Sequence, residues 1–120
     1  MNIRESAEDY LEMILMLSEK KGEVRSIDIA AGLGVSKPSV SVAMKRLRED
    51  GYILMDRDNL ITLTEKGMEV ASRVYRRHKT LTRFLMQLGV DEETAREDAC
   101  KIEHDLSPQT FEAILRQVEE

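Results

Sequence analysis

The stretch from Ser26 to Asp50 most constrains what this chain can fold into, because two short helical patterns meet there across a single tight turn. Ile27 to Leu33 makes the first, with Ser26 as its cap, and Gly34-Val35 makes the turn. Ser36 caps the second, whose first turn holds Lys37 and Pro38, where a missing backbone N–H is tolerated. Val40, Met44 and Leu47 fall at i, i+4 and i+7 and so face inward; Gly51 ends the pattern. Immediately afterwards, Tyr52–Met55 and Leu60–Leu63 flank the polar link Asp56-Arg57-Asp58-Asn59. Apolar β-formers around a polar tip predict a hairpin. Two helices joined by a short glycine turn, then a hairpin, describe a winged helix-turn-helix.

The rest of the chain reads as helix. Ser6 to Lys21 carries Ala7, Tyr10, Leu11, Ile14 and Leu17 at helical spacing, with Ser6 as cap, Asp9 three residues on, and Gly22 as the stop. After the hairpin, Thr64 caps a long helix from Glu65 to about Leu88, closed by Gly89. A further helix spans Asp91 to about Asp105, and Ser107-Pro108 opens the last, Gln109 to Glu120. The expected class is mainly α, a winged helix-turn-helix over 1–72 followed by a helical domain over 73–120.

Charge separates the two parts. The net charge is −5, yet residues 1–83 carry 15 Lys/Arg against 13 Asp/Glu, and residues 84–120 carry 3 against 10. Lys37–Arg48 holds four basic residues and no acidic one. A basic face on one part and an acidic one on the other suit a DNA partner for the first. Aromatics are only 4% of the chain and Trp is absent, so the core is aliphatic and rich in Met. No apolar run approaches the roughly 18 residues of a membrane span. Met1–Glu12 lacks the apolar stretch of a signal peptide, and a single Cys makes no internal disulfide. The expected location is cytoplasmic.

In the helix-turn-helix, the first helix braces the second, whose N-terminal turn is expected to enter the major groove. Double-stranded DNA is the expected partner. Ser36 and Ser39 offer hydroxyls to phosphates or base edges, and Lys37 adds charge at an end where backbone amides already favour phosphate. Lys45, Arg46 and Arg48 extend the basic strip, and Pro38, Ser41 and Val42 complete the expected contact set. Arg57 at the hairpin tip is placed to meet the neighbouring minor groove or a phosphate.

The second signal is chemical. Cys100, Glu103 and His104 sit at i, i+3 and i+4, which projects thiolate, carboxylate and imidazole from one helical face. These are ligands for a first-row divalent metal. Asp9 and Glu12 lie at i and i+3 on the first helix, and His78 lies mid-way along the long one. If the helices pack together, six ligating side chains converge. No acid, base or cleft beyond this set points to catalysis, so an enzyme is not expected. The competing reading is a winged-helix regulator that metal does not control.

At this point the chain resembles the diphtheria toxin repressor and manganese transport regulator family of metal-dependent repressors. The resemblance covers nearly the whole chain. It is most specific in Ala7-Glu8-Asp9-Tyr10-Leu11-Glu12, Ser26–Asp50, Leu63-Thr64-Glu65-Lys66-Gly67 and Ala99-Cys100-Lys101-Ile102-Glu103-His104. It implies a homodimer that binds palindromic operators and represses metal-uptake genes when Fe(II) or Mn(II) is abundant. Residues 73–120 would then be a helical metal-binding and dimerisation domain, with Phe84, Leu85, Leu88, Ile102 and Leu106 as the apolar residues expected at the dimer surface. It also implies a primary metal site of Asp9, Cys100, Glu103 and His104. Asp9 matches the manganese-type members and Cys100 the iron type, so the chain is a hybrid. Glu12 and His78 match a second, manganese-type site, whose bridging carboxylate Cys100 replaces. Thr82 and Arg96 stand where an iron-type ancillary site has Glu and His. Fe(II) or Mn(II) is the expected cofactor, and Zn(II), Co(II) or Ni(II) are expected to bind in vitro.

Overall fold

The computed structural model describes residues 2–119, and side chains from residue 6 onward. It divides into two compact units, Met1–Ser72 and Arg73–Glu120. The first contains α1 (Asn2–Lys21), α2 (Ser26–Leu33), α3 (Lys37–Glu49), β1 (Ile53–Met55) and β2 (Ile61–Leu63). The long helix α4 (Glu65–Gln87) contributes residues 65–72 to the first unit and its remainder to the second, which also holds α5 (Glu92–Ile102) and α6 (Pro108–Glu119). Among the described residues, no helix is long and apolar enough to cross a membrane.

In the first unit, α1, α2 and α3 pack around Leu11, Ile14, Ile29, Val40 and Met44, each no more than 2% exposed. Gly34 closes α2 in the left-handed region (φ +67°), with its N–H on the Ala30 carbonyl at 2.9 Å, so the turn needs a residue without Cβ strain. Ser36 caps α3 as expected, its Oγ accepting from Ser39 N–H at 3.2 Å.

Two cap expectations need correction. α1 already begins at Asn2, because neither Gly nor Pro interrupts residues 2–6, so Ser6 lies inside the helix. Ser26 is the first residue of α2 rather than its cap. Asp28 does the capping from within, accepting the Arg25 N–H at 2.9 Å while Lys21 Nζ donates to its other oxygen at 2.7 Å.

The antiparallel pair β1–β2 aligns Ile53 with Leu63, Leu54 with Thr62 and Met55 with Ile61. This register buries Ile53 and Ile61 and turns Leu54 and Thr62 outward. At the tip, one Asp56 carboxylate oxygen accepts the N–H groups of Asp58 and Leu60, both at 2.9 Å, and Asn59 takes φ +64°. The base of the hairpin is locked to the start of α4. Thr64 Oγ1 donates to Gly51 O at 2.7 Å and accepts Gly67 N–H at 3.1 Å. Gly67 is buried there, and a Cβ on it would lie inside contact distance of the Tyr52 carbonyl oxygen.

In the second unit, Val74 and Leu81 of α4, Ala95 and Ala99 of α5, and Phe111 and Val118 of α6 are buried. Asp91 caps α5 through Thr94 N–H at 3.0 Å, and Ser107 caps α6 through Thr110 N–H at 3.1 Å. α5 stops at Ile102, short of the expected Asp105. There the backbone tightens, with Asp105 N–H on the Ile102 carbonyl at 3.1 Å, an i+3 bond. Just beyond, Arg77 Nη1 donates to the carbonyls of Glu103 at 3.1 Å and Leu106 at 2.9 Å while its guanidinium lies 5.2 Å from the Phe111 ring centre, which holds the turn between α5 and α6. Of the residues expected at the dimer surface, Leu88 and Ile102 are exposed, and Phe84, Leu85 and Leu106 are half-buried.

Candidate DNA-reading face and metal centre

The surface of α3 follows from its core. With Val40, Met44 and Leu47 turned inward, Pro38, Ser41, Val42, Lys45, Arg46 and Arg48 are left exposed, as are Ser36, Lys37 and Ser39 at the helix start. The Ser36 and Ser39 hydroxyls bond each other at 2.8 Å, which fixes both beside the amides of the first turn. Arg48 leans on the hairpin, with Nη1 4.0 Å from Met55 Sδ. Arg57 is exposed at the tip. The first unit thus presents every expected DNA-contacting residue to solvent, on α3 and on the wing.

The second unit presents the opposite arrangement. Glu103 follows the last residue of α5 and is 1% exposed. Its Oε2 lies 2.9 Å from His78 Nδ1 of α4, and its Oε1 lies 3.5 Å from His104 Nε2. A buried carboxylate is therefore set between two imidazoles. Cys100 Sγ lies within 4.8 Å of a Glu103 oxygen. Glu103 Oε1 accepts no hydrogen bond among the described residues, although it is fully buried. Such an atom costs free energy unless a cation or donor meets it. Carboxylate, thiolate and two imidazoles, gathered around a buried oxygen with capacity left, are a donor set that fits a divalent metal. Spacing along α5 alone did not forecast that His78 pairs with Glu103, since the two stand 25 residues apart.

The remaining expected ligands lie on α1 in the first unit. Asp9 is half-buried and Glu12 is 7% exposed, next to the core residue Leu11. Sequence reasoning did not single out Arg77. Its signal was present in the run Arg76-Arg77-His78-Lys79, which reads as a basic solvent face until the Glu103 carbonyl is found against it.

The sequence pattern of the iron-dependent repressor N-terminal DNA-binding domain matches residues 2–59. The pattern of the iron-dependent repressor metal-binding and dimerisation domain matches residues 64–120. The chain belongs to the iron-dependent repressor family. It is 42% identical over 112 residues to the transcriptional regulator MntR of Salmonella typhimurium, covering 93% of this chain and 71% of that protein. It is 40% identical over 112 residues to an uncharacterized HTH-type transcriptional regulator of Methanocaldococcus jannaschii, covering 92% of this chain and 90% of that one. Among solved structures, a manganese-dependent transcriptional repressor in complex with manganese matches with a TM-score of 0.85 and 30% identity, over 94% of this chain and 52% of that one. The chain thus spans about half the length of that structure, and of the manganese regulator SloR. Membership of the iron-dependent repressors assigns DNA binding to the winged helix, and divalent-metal binding and dimerisation to the helices that follow: the chain is a metal-dependent transcriptional regulator.

Proposed function

We propose that this iron-dependent repressor family member is activated by Fe(II) or Mn(II) to repress metal-uptake genes in the cytoplasm, and that it is not an enzyme. The observation that carries the reading is the buried Glu103 carboxylate facing His78 and His104 with Cys100 beside it. Asp9, Cys100, Glu103 and His104 are proposed as the primary ligands. Glu12 and His78 are proposed as donors to a second ion, with Glu103 supplying the carboxylate that Cys100 does not. Cys100 favours the softer Fe(II), and Asp9, Glu12 and Glu103 suit Fe(II) and Mn(II) alike. The relatives named above are regulators of transcription, and one was solved with manganese.

The bound cation supplies a fixed positive centre that neutralises these carboxylates. The chain's own contribution is the origin of the donors. Asp9 belongs to the DNA-binding part, while Cys100, Glu103 and His104 belong to the dimerisation part. A ligand set drawn from both restricts one relative to the other. In a dimer, that favours the spacing of α3 helices that fits successive major grooves, about 34 Å. The metal needs only to bind this arrangement better than others.

The test uses a palindromic duplex selected by the protein from a random pool, titrated under reducing conditions with Fe(II), Mn(II), Zn(II) and Co(II). Fe(II) or Mn(II) is expected to raise affinity most. Asp9→Ala is expected to keep much of the metal affinity and lose the metal-driven gain in DNA affinity. Equal operator binding by metal-free and metal-loaded wild type would overturn the proposal.

A further inference from the structure

Among the described residues, the most exposed large hydrophobic side chain is Val42, at 69%. It stands two residues after Val40 and two before Met44, both buried. At about 100° per residue it therefore points almost directly away from the core of the first unit. Pro38 and Lys45 share that outward line, and Ser39 and Arg46 are its other neighbours one turn away. The outermost point of α3 is thus an apolar isopropyl group with Lys45 and Arg46 beside it, and no acidic residue stands between Lys37 and Arg48.

A surface of this kind fits a partner that is anionic at its margins and carries a small apolar group at its centre. The DNA major groove has that chemistry. Phosphates line its edges, and thymine C5-methyl is the apolar group its floor displays. Valine has no hydrogen-bonding atom, so it cannot read the donors and acceptors of base edges. Its branched Cβ holds χ1 in one strongly preferred rotamer on a helix, so its methyl groups are already ordered before contact. We propose that Val42 is a specificity-determining residue that selects a thymine in each operator half-site by packing against its 5-methyl group. The proposal rests on α3 being the DNA-reading helix.

The experiment replaces each thymine of the selected duplex, one symmetric pair at a time, with deoxyuridine, which removes only the methyl group. Metal-loaded wild-type protein is expected to lose about fourfold in affinity per half-site at one thymine position, the value of one buried methyl. Val42→Ala is expected to bind the thymine duplex correspondingly more weakly and to be indifferent to uracil there, with an unchanged thermal midpoint. Val42→Ile, which keeps an apolar tip, is expected to keep uracil sensitivity. If wild type tolerates uracil at every position while binding remains specific and salt-dependent, the proposal fails and the DNA-reading assignment stands. If Val42→Ala keeps full uracil sensitivity, another side chain reads the methyl group. If Val42→Ala matches wild type on all duplexes, the patch faces a protein instead, and the proposal is again overturned. Loss of all specific DNA binding by the metal-loaded wild type would instead defeat the underlying assignment.

Discussion

The outer face of α3 and the surroundings of Glu103 handle charge in opposite ways. On α3, Lys37, Lys45, Arg46 and Arg48 all stand in water. At the end of α5, a carboxyl group 1% exposed is withdrawn from water and given to two imidazoles. The first arrangement costs the fold almost nothing, because exposed charges remain hydrated. The second costs several kcal/mol in lost solvation unless partners offset it. A surface that reads DNA can therefore change without disturbing the fold, whereas a buried carboxylate and its partners are tied to it.

The largest expected effect tests the buried side. Glu103→Gln keeps the shape and removes the charge, so metal affinity measured by calorimetry is expected to fall at least ~100-fold, more than loss of an outer-sphere partner usually gives. The thermal midpoint of the metal-free variant is expected not to drop, because a buried charge has been removed. A variant that unfolds without metal would show that Glu103 is structural and would break the contrast drawn above.

The exposed side predicts a smaller change. Lys37→Ala is expected to reduce the slope of log affinity against log salt by about 0.9 and to weaken operator and non-operator duplexes alike, while the melting curve stays unchanged. A loss confined to the operator, with the slope intact, would make Lys37 a base reader.

The smallest effect concerns acid stability. The Lys21 ammonium, bonded to Asp28, and the Arg25 N–H hold the Asp28 carboxyl below the usual aspartate range. Its folded pKa thus lies below its unfolded one. The stabilisation is fully present above the unfolded value of about 4 and is lost as pH falls through the lower folded value. Asp28→Asn is expected to flatten that acid limb by less than about 1 kcal/mol, since solvent screens the pair. Denaturant melts at several pH values check this, and a wild-type acid limb in the variant would remove Asp28 from the account.

How far the sequence could be read followed the same division. The turn at Gly34, the Ser36 cap and the alternation of the hairpin were legible because each is set by residues within a few positions. The same locality made Cys100, Glu103 and His104 visible as a group. Ser6 misled because a good capping residue does not end a helix whose preceding residues also permit it. The turn after α5 was illegible because Arg77, distant in sequence, takes the Glu103 and Leu106 carbonyls within it. The pairing of His78 with Glu103 was hidden for the same reason, since it depends on how α4 and α5 pack.

The Arg77 clamp also bears on time. It holds the backbone at Glu103 and Leu106 from α4, with Phe111 against its guanidinium. Turning a side chain is faster than rebuilding a helix end. With this backbone held, the proposed donors His78, Cys100 and His104 are expected to meet an ion by side-chain rotation, the faster of the two routes.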